Sequence, residues 1–298
     1  MSAQAPTGDL VARFGVSPSR RRKDKIARGL ILAATIVALI PLMLILYYLL
    51  KKGLGAWSSS FFTTDPTGNT FFKNSTIGGI KSAILGTIEM VALASAIAVP
   101  IGVAVAVWLV EYGKNSWFAH TVRFFVDVLT GVPSIVFGLF IYIVLVVGTG
   151  SSFAGYKGSL ALSLLMLPVV IRSAEVILLL VPAGLRESAL ALGAPRWRVI
   201  FSIVLPTALP GMVTGVLLAV ARAAGETAPL LFTAASTKNT SYDLSGFMNS
   251  LPVQIYSDVT SPTTAVVNRA WGAALTLVVL ILLLNLIARL ISRRSRLA

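Results

Sequence analysis

Apolar residues fall into six long blocks separated by short polar or basic stretches. The first block, Gly29 to Leu50, follows a basic run of Arg20, Arg21, Arg22, Lys23 and Lys25. The others cover about Ile77 to Tyr112, Phe118 to Val147, Ser159 to Val181, Thr207 to Thr233 and Trp271 to Ile291. A bilayer core of ~30 Å needs about 20 apolar residues in a helix, so each block predicts a crossing. The first is too long for the apolar region of a cleaved signal peptide. Four blocks carry breakers: Pro100-Ile101-Gly102, where the block is either one tilted helix or two pieces hinged at this point, Gly131-Val132-Pro133, Pro168, and Pro210-Gly211. Breaks inside hydrocarbon survive only where neighbouring helices or a cavity satisfy the freed backbone groups. The pattern therefore predicts an all-α, polytopic bundle packed around a pathway.

Composition removes the alternatives. Of 298 residues, 56% are hydrophobic and only 12% charged, with a mean hydropathy of +0.86. A soluble domain carries about 25% charged residues. There is no cysteine, so no disulfide scaffold is possible. The net charge of +14 would suggest nucleic acid in a soluble chain. Here the basic residues sit mainly at the ends of apolar blocks, which fits positive-inside topology and anionic membrane lipid, with no nucleic acid. Counting Lys and Arg on the connecting segments favours six crossings with both termini cytoplasmic. Residues 1–28 are then a basic cytoplasmic tail, expected to be disordered, and 29–50 the N-terminal transmembrane helix. Segments 51–76 and 236–268 are the long polar loops of the outer face.

Between the fourth and fifth blocks the chain reads Glu187-Ser188-Ala189, then Gly193, then Pro195-Arg196-Trp197-Arg198, then Ile203-Val204-Leu205-Pro206. This predicts a short helix stopping at Gly193, since glycine suits the left-handed position after a helix. A second helix should start at Pro195 and end before Leu205-Pro206. One reading is an interfacial helix with Trp197 among the headgroups and Arg196 and Arg198 on phosphates. The spacing also resembles the Glu-Ala-Ala loop of ABC-importer permeases, with Glu187, Ala189, Gly193, Ile203, Leu205 and Pro206 at matching places and Ser188 in place of the middle Ala. That resemblance implies a coupling loop, 183–206, that docks into a cytoplasmic ATPase, with Glu187, Ala189, Gly193 and Arg196 as its contact residues.

Charges within the blocks need a reason, because an ionisable group at the bilayer centre costs at least ~2.5 kcal/mol on insertion scales. Glu89, Arg172, Glu175, Arg222 and Glu226 are such residues. Arg172 and Glu175 are three apart and Arg222 and Glu226 four apart, so each pair shares a helix face. They are either self-satisfied structural pairs or the lining of an anion pathway. Arginine suits the second role, since its guanidinium stays charged and matches a carboxylate or phosphate bidentately. The sum over the five is nevertheless negative. Gly211 and Gly215, with Ala219 one turn on, allow close helix approach, within the chain or at a subunit seam. Pro229 is expected to let its helix bend.

Arg222-Ala223-Ala224-Gly225-Glu226-Thr227-Ala228-Pro229-Leu230-Leu231-Phe232-Thr233-Ala234, together with Gly131-Val132-Pro133-Ser134-Ile135-Val136-Phe137-Gly138, is similar to the PstA permease family of phosphate ABC importers. The similarity covers about residues 77–293 plus an added N-terminal helix. It implies a MetI-like permease core forming half of a heterodimeric pore. It also implies a PstC-like second permease, a PstB-like cytoplasmic ATPase dimer and a PstS-like extracytoplasmic phosphate-binding protein. In that family the residues matching Arg172, Glu175 and Arg222 are implicated in phosphate passage, and Glu226 follows by motif; Glu89 receives no role.

No Gly-x4-Gly-Lys-Ser/Thr run is present, so ATP and Mg²⁺ are expected on the partner ATPase rather than on this chain. With one histidine, His120, and no cysteine, no metal site is expected, and no nucleophile–base pair marks a catalytic residue. The expected function is inward phosphate transport in the plasma membrane. Its rivals are a PstC-type partner, a permease for sulfate or molybdate, and a non-transporting scaffold or sensor.

Overall fold

The computed structural model describes residues 18–66 and 78–294. The first part of the expected basic tail, 1–17, and part of the first outer loop, 67–77, lie outside the described residues. The chain divides into two units, Met1–Lys51 and Lys52–Ala298. Most of α1, Pro18–Ala56, belongs to the first. This helix starts well before Gly29, so residues 18–28 are helical rather than disordered. Proline is pre-organised for a first helical turn, the Lys and Arg residues behind it are good helix formers, and no breaker intervenes. Asp24 and Arg28 pair at 3.0 Å one turn apart. Beyond them most leucines and isoleucines of α1 are exposed, Leu49 being buried.

Every regular element of the second unit among the described residues is a helix; there is no strand among them, only an isolated bridge between Pro66 and Gly78. A short α2, Ser59–Thr63, is capped by Ser58, whose hydroxyl accepts the Phe61 N–H. It is followed by α3, Lys81–Val107, which widens into a π turn at Trp108–Gly113. Next come α4, Trp117–Gly131, and α5, Ser134–Ile141, the latter ending in a π turn at Tyr142–Val147. Then follow α6, Gly155–Leu179, and α7, Ala183–Ala191. The short α8, Arg196–Val199, passes through a π turn, Ile200–Val204, into α9, Leu205–Ala224. The last elements are α10, Ala228–Leu231, α11, Leu251–Val259, and α12, Thr264–Arg294.

Lipid tails are as apolar as leucine, so helices in a membrane associate through close packing rather than water expulsion. Small residues provide that here. Ala94 and Ala98 of α3, Ala161 of α6 and Ala219 of α9 are fully buried, and Met90, Leu162, Met166 and Val170 fill the spaces between these helices. A β-carbon on Gly102 would sit 2.7 Å from Val170, so this glycine serves the α3–α6 contact. Of the two readings at Pro100-Ile101-Gly102, the single helix is the one observed: α3 runs through it and loosens only at Trp108. Gly211 and Gly215 face Ile177 and Ser173 of α6, which makes that stripe intrachain packing.

Two further boundaries differ from expectation. The helix from Arg196 does not stop before Leu205-Pro206 but continues through the π turn, whose wider path accommodates a proline lacking an N–H. The fifth block does not reach Thr233 as one helix. It stops at Ala224, and Pro229 opens the separate α10 instead of bending α9. Pro229 packs on Gly138, where a β-carbon would meet its Cα at 2.5 Å.

Among the described residues five helices are long and apolar enough to cross a membrane, and α4 with α5–Val147 form a further pair bent by 102°. Taken as one broken span, that pair brings the number to six. Glu111, in the π turn ending α3, bonds Arg186 at the start of α7, so Gly113 and Val181 lie at one end of the bundle. Gly155 lies at the other end, where its N–H donates to the Gly246 carbonyl at 3.0 Å. The chain between Gly113 and Gly155 must therefore traverse the bundle.

Candidate functional site

Arg172 and Glu175 lie one turn apart on α6, and α4 brings Arg123 and Asp127, also one turn apart, against them. Glu175 is buried and bridged: Arg123 donates through Nε to Oε1 at 2.6 Å, and Arg172 through Nη1 to Oε2 at 3.0 Å. Arg172 donates its Nη2 to Asp127. Arg123 spends its remaining two nitrogens on the Lys114 and Leu109 carbonyls, at 2.8 and 3.2 Å. The result is a four-residue lattice of alternating charge. Its members differ in access, because the Arg172 side chain is 42% exposed while that of Glu175 is 4%. Arg123 and Asp127 were not visible as site residues in the sequence. Their spacing of four in an apolar block was the available signal.

Arg222 occupies the last turn of α9, where the negative end of the helix dipole favours a cation. Its Nε lies 3.6 Å from Glu226 Oε1, too far for a hydrogen bond, and its side chain is 44% exposed. Among the described residues no ion pair joins this group to the lattice. Gly211 faces Ile177 and Gly215 faces Ser173, an antiparallel register that puts Arg222 level with about Met166. Arg222 and Arg172 thus stand at two depths, ~9 Å apart along the bundle at 1.5 Å per residue. Glu89 on α3 buries its Oε2 without a hydrogen-bond partner among the described residues.

The 183–206 loop is rigidly seated. Ala189 is buried in a cluster with Val110, Leu178, Val199 and Val204, so a larger side chain would lift α7 off the bundle. Gly193 has φ of +81°, the left-handed conformation that closes α7. Arg186 fixes the loop from below: Nε to Glu111 at 3.0 Å, Nη1 to the Val181 carbonyl at 2.6 Å and Nη2 to the Leu178 carbonyl at 2.8 Å. Glu187 and Arg196 remain exposed on the outer surface of the turn. Only the sequence spacing had marked this loop; its arginine staple had no local signature.

At the opposite end, a polar network holds α11 against the bundle. Arg269 grips Asp258 with two bonds of 2.7 and 2.8 Å, Gln254 donates to Asp258 at 2.8 Å, and Asn249 donates to Gln254 at 2.7 Å and to Ser82 at 3.3 Å. Asp65 accepts from both the backbone and the side chain of Thr240, tying the two long polar loops together. Lys157 is buried, and its ammonium donates to Ser151 Oγ and the Ser152 carbonyl, both at 2.6 Å.

Residues 98–297 match the family of binding-protein-dependent transport system inner membrane components. The chain is 42% identical over 279 residues to the phosphate transport system permease protein PstA of Yersinia pestis, covering 93% of this chain and 92% of that one. It is 41% identical to the Haemophilus influenzae protein of the same name, covering 93% and 96%. Among solved structures, a bacterial alginate ABC transporter chain superimposes with a TM-score of 0.61 at 17% identity, over 93% of this chain and 96% of that one. A chain of the inward-facing MetNI methionine ABC transporter gives 0.58 at 22%, over 73% and 94%. The last two establish the fold alone. The described fold, the family match and the identity along nearly the whole chain agree: this chain is a multi-pass membrane protein belonging to the binding-protein-dependent transport permeases, in the PstA family.

Proposed function

We propose that this chain is one half of a heterodimeric pore that carries inorganic phosphate into the cell by alternating access, driven by ATP hydrolysis on a partner. The names of its relatives support the substrate, and the chemistry of the lattice supports it independently. The carrying observation is that Arg172 keeps part of its guanidinium accessible while its neighbour Glu175 is sealed. The Arg269–Asp258 pair, by contrast, buries both partners. A tetrahedral oxyanion can displace Asp127 from Arg172, then lose it again to that carboxylate, so binding stays shallow enough for release. Arg222 and Arg172, at separate depths, provide two successive cationic stations, with Glu175 and Glu226 holding each guanidinium in place between passages.

In this reading 183–206 is the coupling loop on the cytoplasmic side, where both termini also lie. The ATPase dimer docks on Glu187, Gly193 and Arg196, while the buried Ala189 seats the loop on the bundle rather than meeting the partner, and the ATPase holds the ATP and Mg²⁺. The phosphate-binding protein docks on the opposite face, over the loops joined by Asp65 and Thr240. A second permease closes the pore.

The test is radioactive phosphate uptake in cells expressing Arg172→Gln or Arg222→Gln, with assembly followed by co-purification of the partners. Uptake is expected to fall to background while the complex still assembles. Wild-type uptake in either variant would refute the pathway assignment. Glu187→Lys should instead leave phosphate binding intact and separate ATP hydrolysis from uptake; normal transport there removes the coupling assignment.

A further inference from the structure

Beside the lattice, a cavity of about 650 Å³ opens between the π turn ending α3, the start of α7 and α8. Lys114, Arg123, Arg186 and Arg196 line it, against Glu111 and Glu187. Two of these cations are committed elsewhere. Arg123 and Arg186 each bond a carboxylate and two backbone carbonyls. Each guanidinium has five N–H groups, so both retain donors for a ligand. Lys114 and Arg196 are exposed, and among the described residues neither enters an ion pair.

The backbone at Lys114 is unusual. It has φ of +39° and ψ of −109°, at the first central position of a tight turn closed by the Ser116 N–H on the Gly113 carbonyl at 2.8 Å. Glycine is the ordinary occupant of that conformation, and a lysine held there stores strain that needs a compensating role. The Arg123 bond to the Lys114 carbonyl braces the turn and holds this cation at the cavity wall. On either side, Trp117 and Trp197 are largely exposed, and the Arg198 guanidinium lies 5.4 Å from the Trp197 ring. Exposed tryptophans with flanking arginines mark the headgroup level of a bilayer.

We propose that this cavity is a phosphate-oxyanion site, distinct from the Arg172 and Arg222 stations. Lys114 supplies a point charge, and Arg123 and Arg186 their spare N–H groups, while Arg196 stands at the rim shared with the docked ATPase. The oxyanion is either the headgroup of an anionic lipid or free inorganic phosphate from the cytoplasm. Bound there, it bridges the end of α3 to the 183–206 loop and damps that loop's motion. Because Arg123 also holds Glu175, occupancy reaches the lattice through a single side chain. The binding claim does not depend on the proposed transport function; only its consequence for coupling does.

The experiment uses the complete complex in nanodiscs, with wild type, Lys114→Arg, Lys114→Asn and Lys114→Gln. Asparagine removes the charge yet tolerates positive φ, so its effect is not one of backbone strain; glutamine repeats the charge loss with a longer side chain. In one arm the discs contain phosphatidylcholine alone or an equal mixture with phosphatidylglycerol, and native mass spectrometry counts retained phosphatidylglycerol. In the other, phosphatidylcholine discs receive millimolar inorganic phosphate. Hydrogen exchange of 183–193 is read in both. Wild type and Lys114→Arg should show exchange slowed about fivefold in one arm, the size of one well-placed ion pair. Both neutral variants should lose that response while phosphate uptake continues. A Lys114-dependent response to phosphatidylglycerol identifies the lipid as the source, and one to inorganic phosphate identifies the free ion. If neither arm yields a response that depends on the charge at 114, the site does not exist.

Discussion

Two of the ion-paired clusters in this bundle differ in access, and the difference is a criterion against which the proposed pathway role can be tested. At one end, Arg269 and Asp258 make a bidentate pair with side chains only 7% and 4% exposed, and Gln254 extends the network towards Asn249. In the lattice, Arg172 also meets two carboxylates, yet its side chain is 42% exposed and that of Asp127 54%. Both clusters satisfy their hydrogen bonds. Only the second leaves a cation that a solute can reach without breaking the fold. A charge in an apolar segment is therefore a poor guide by itself, and the access of the cation in its paired state is the better one.

The comparison can be broken most forcefully at the sealed pair. Removing one partner of a buried pair costs about 3–5 kcal/mol, because the other charge stays behind without compensation. Arg269→Ala is expected to abolish recoverable complex, measured by yield and thermal unfolding, whereas Arg269→Met combined with Asp258→Leu should recover much of it. Equal loss in single and double variants would mean that the charges themselves are needed there, as in a working site. An intermediate effect is expected at the lattice. Asp127→Asn weakens the carboxylate that competes for Arg172, so the KM for phosphate should fall several-fold with assembly unchanged; a loss of assembly would instead class the lattice with the sealed pair. The smallest effect concerns Asp243, in an exposed turn. The Ser245 hydroxyl and then the Ser245 N–H bond its carboxylate and hold its pKa below the usual value. That bonding is present above the ordinary carboxylate range and is lost as pH falls through the lowered value. Asp243→Asn should modestly raise exchange of the Ser245 amide at neutral pH and leave uptake unaltered.

Much of this could be read along the chain. The apolar blocks, the break at Gly131-Val132-Pro133 and the left-handed Gly193 depend on run length and on local backbone preferences, which neighbours in sequence express directly. Proline positions were less readable. Pro100 and Pro206 lie in continuous helix, one inside α3 and one just after a π turn, because the surrounding packing tolerates the missing N–H. The site was half legible: Arg172 with Glu175 and Arg222 with Glu226 were marked by spacing on their own helices, while Arg123 and Asp127 entered only when α4 met α6.

By itself, the sequence determined that the chain must cross a membrane repeatedly, where its helices could begin, and which charges stood out in oil. Those properties follow from transfer free energy and from dihedral preferences, which act over a few residues. Tertiary structure alone decided which charges became neighbours. Arg123 and Glu175 are 52 residues apart, Arg172 and Asp127 are 45, and Arg186 and Glu111 are 75. Such pairings depend on the register and bend of packed helices, set by how Gly102, Gly138, Gly211 and Gly215 let them approach. No window of the sequence contains that register, because it is a property of two surfaces in contact.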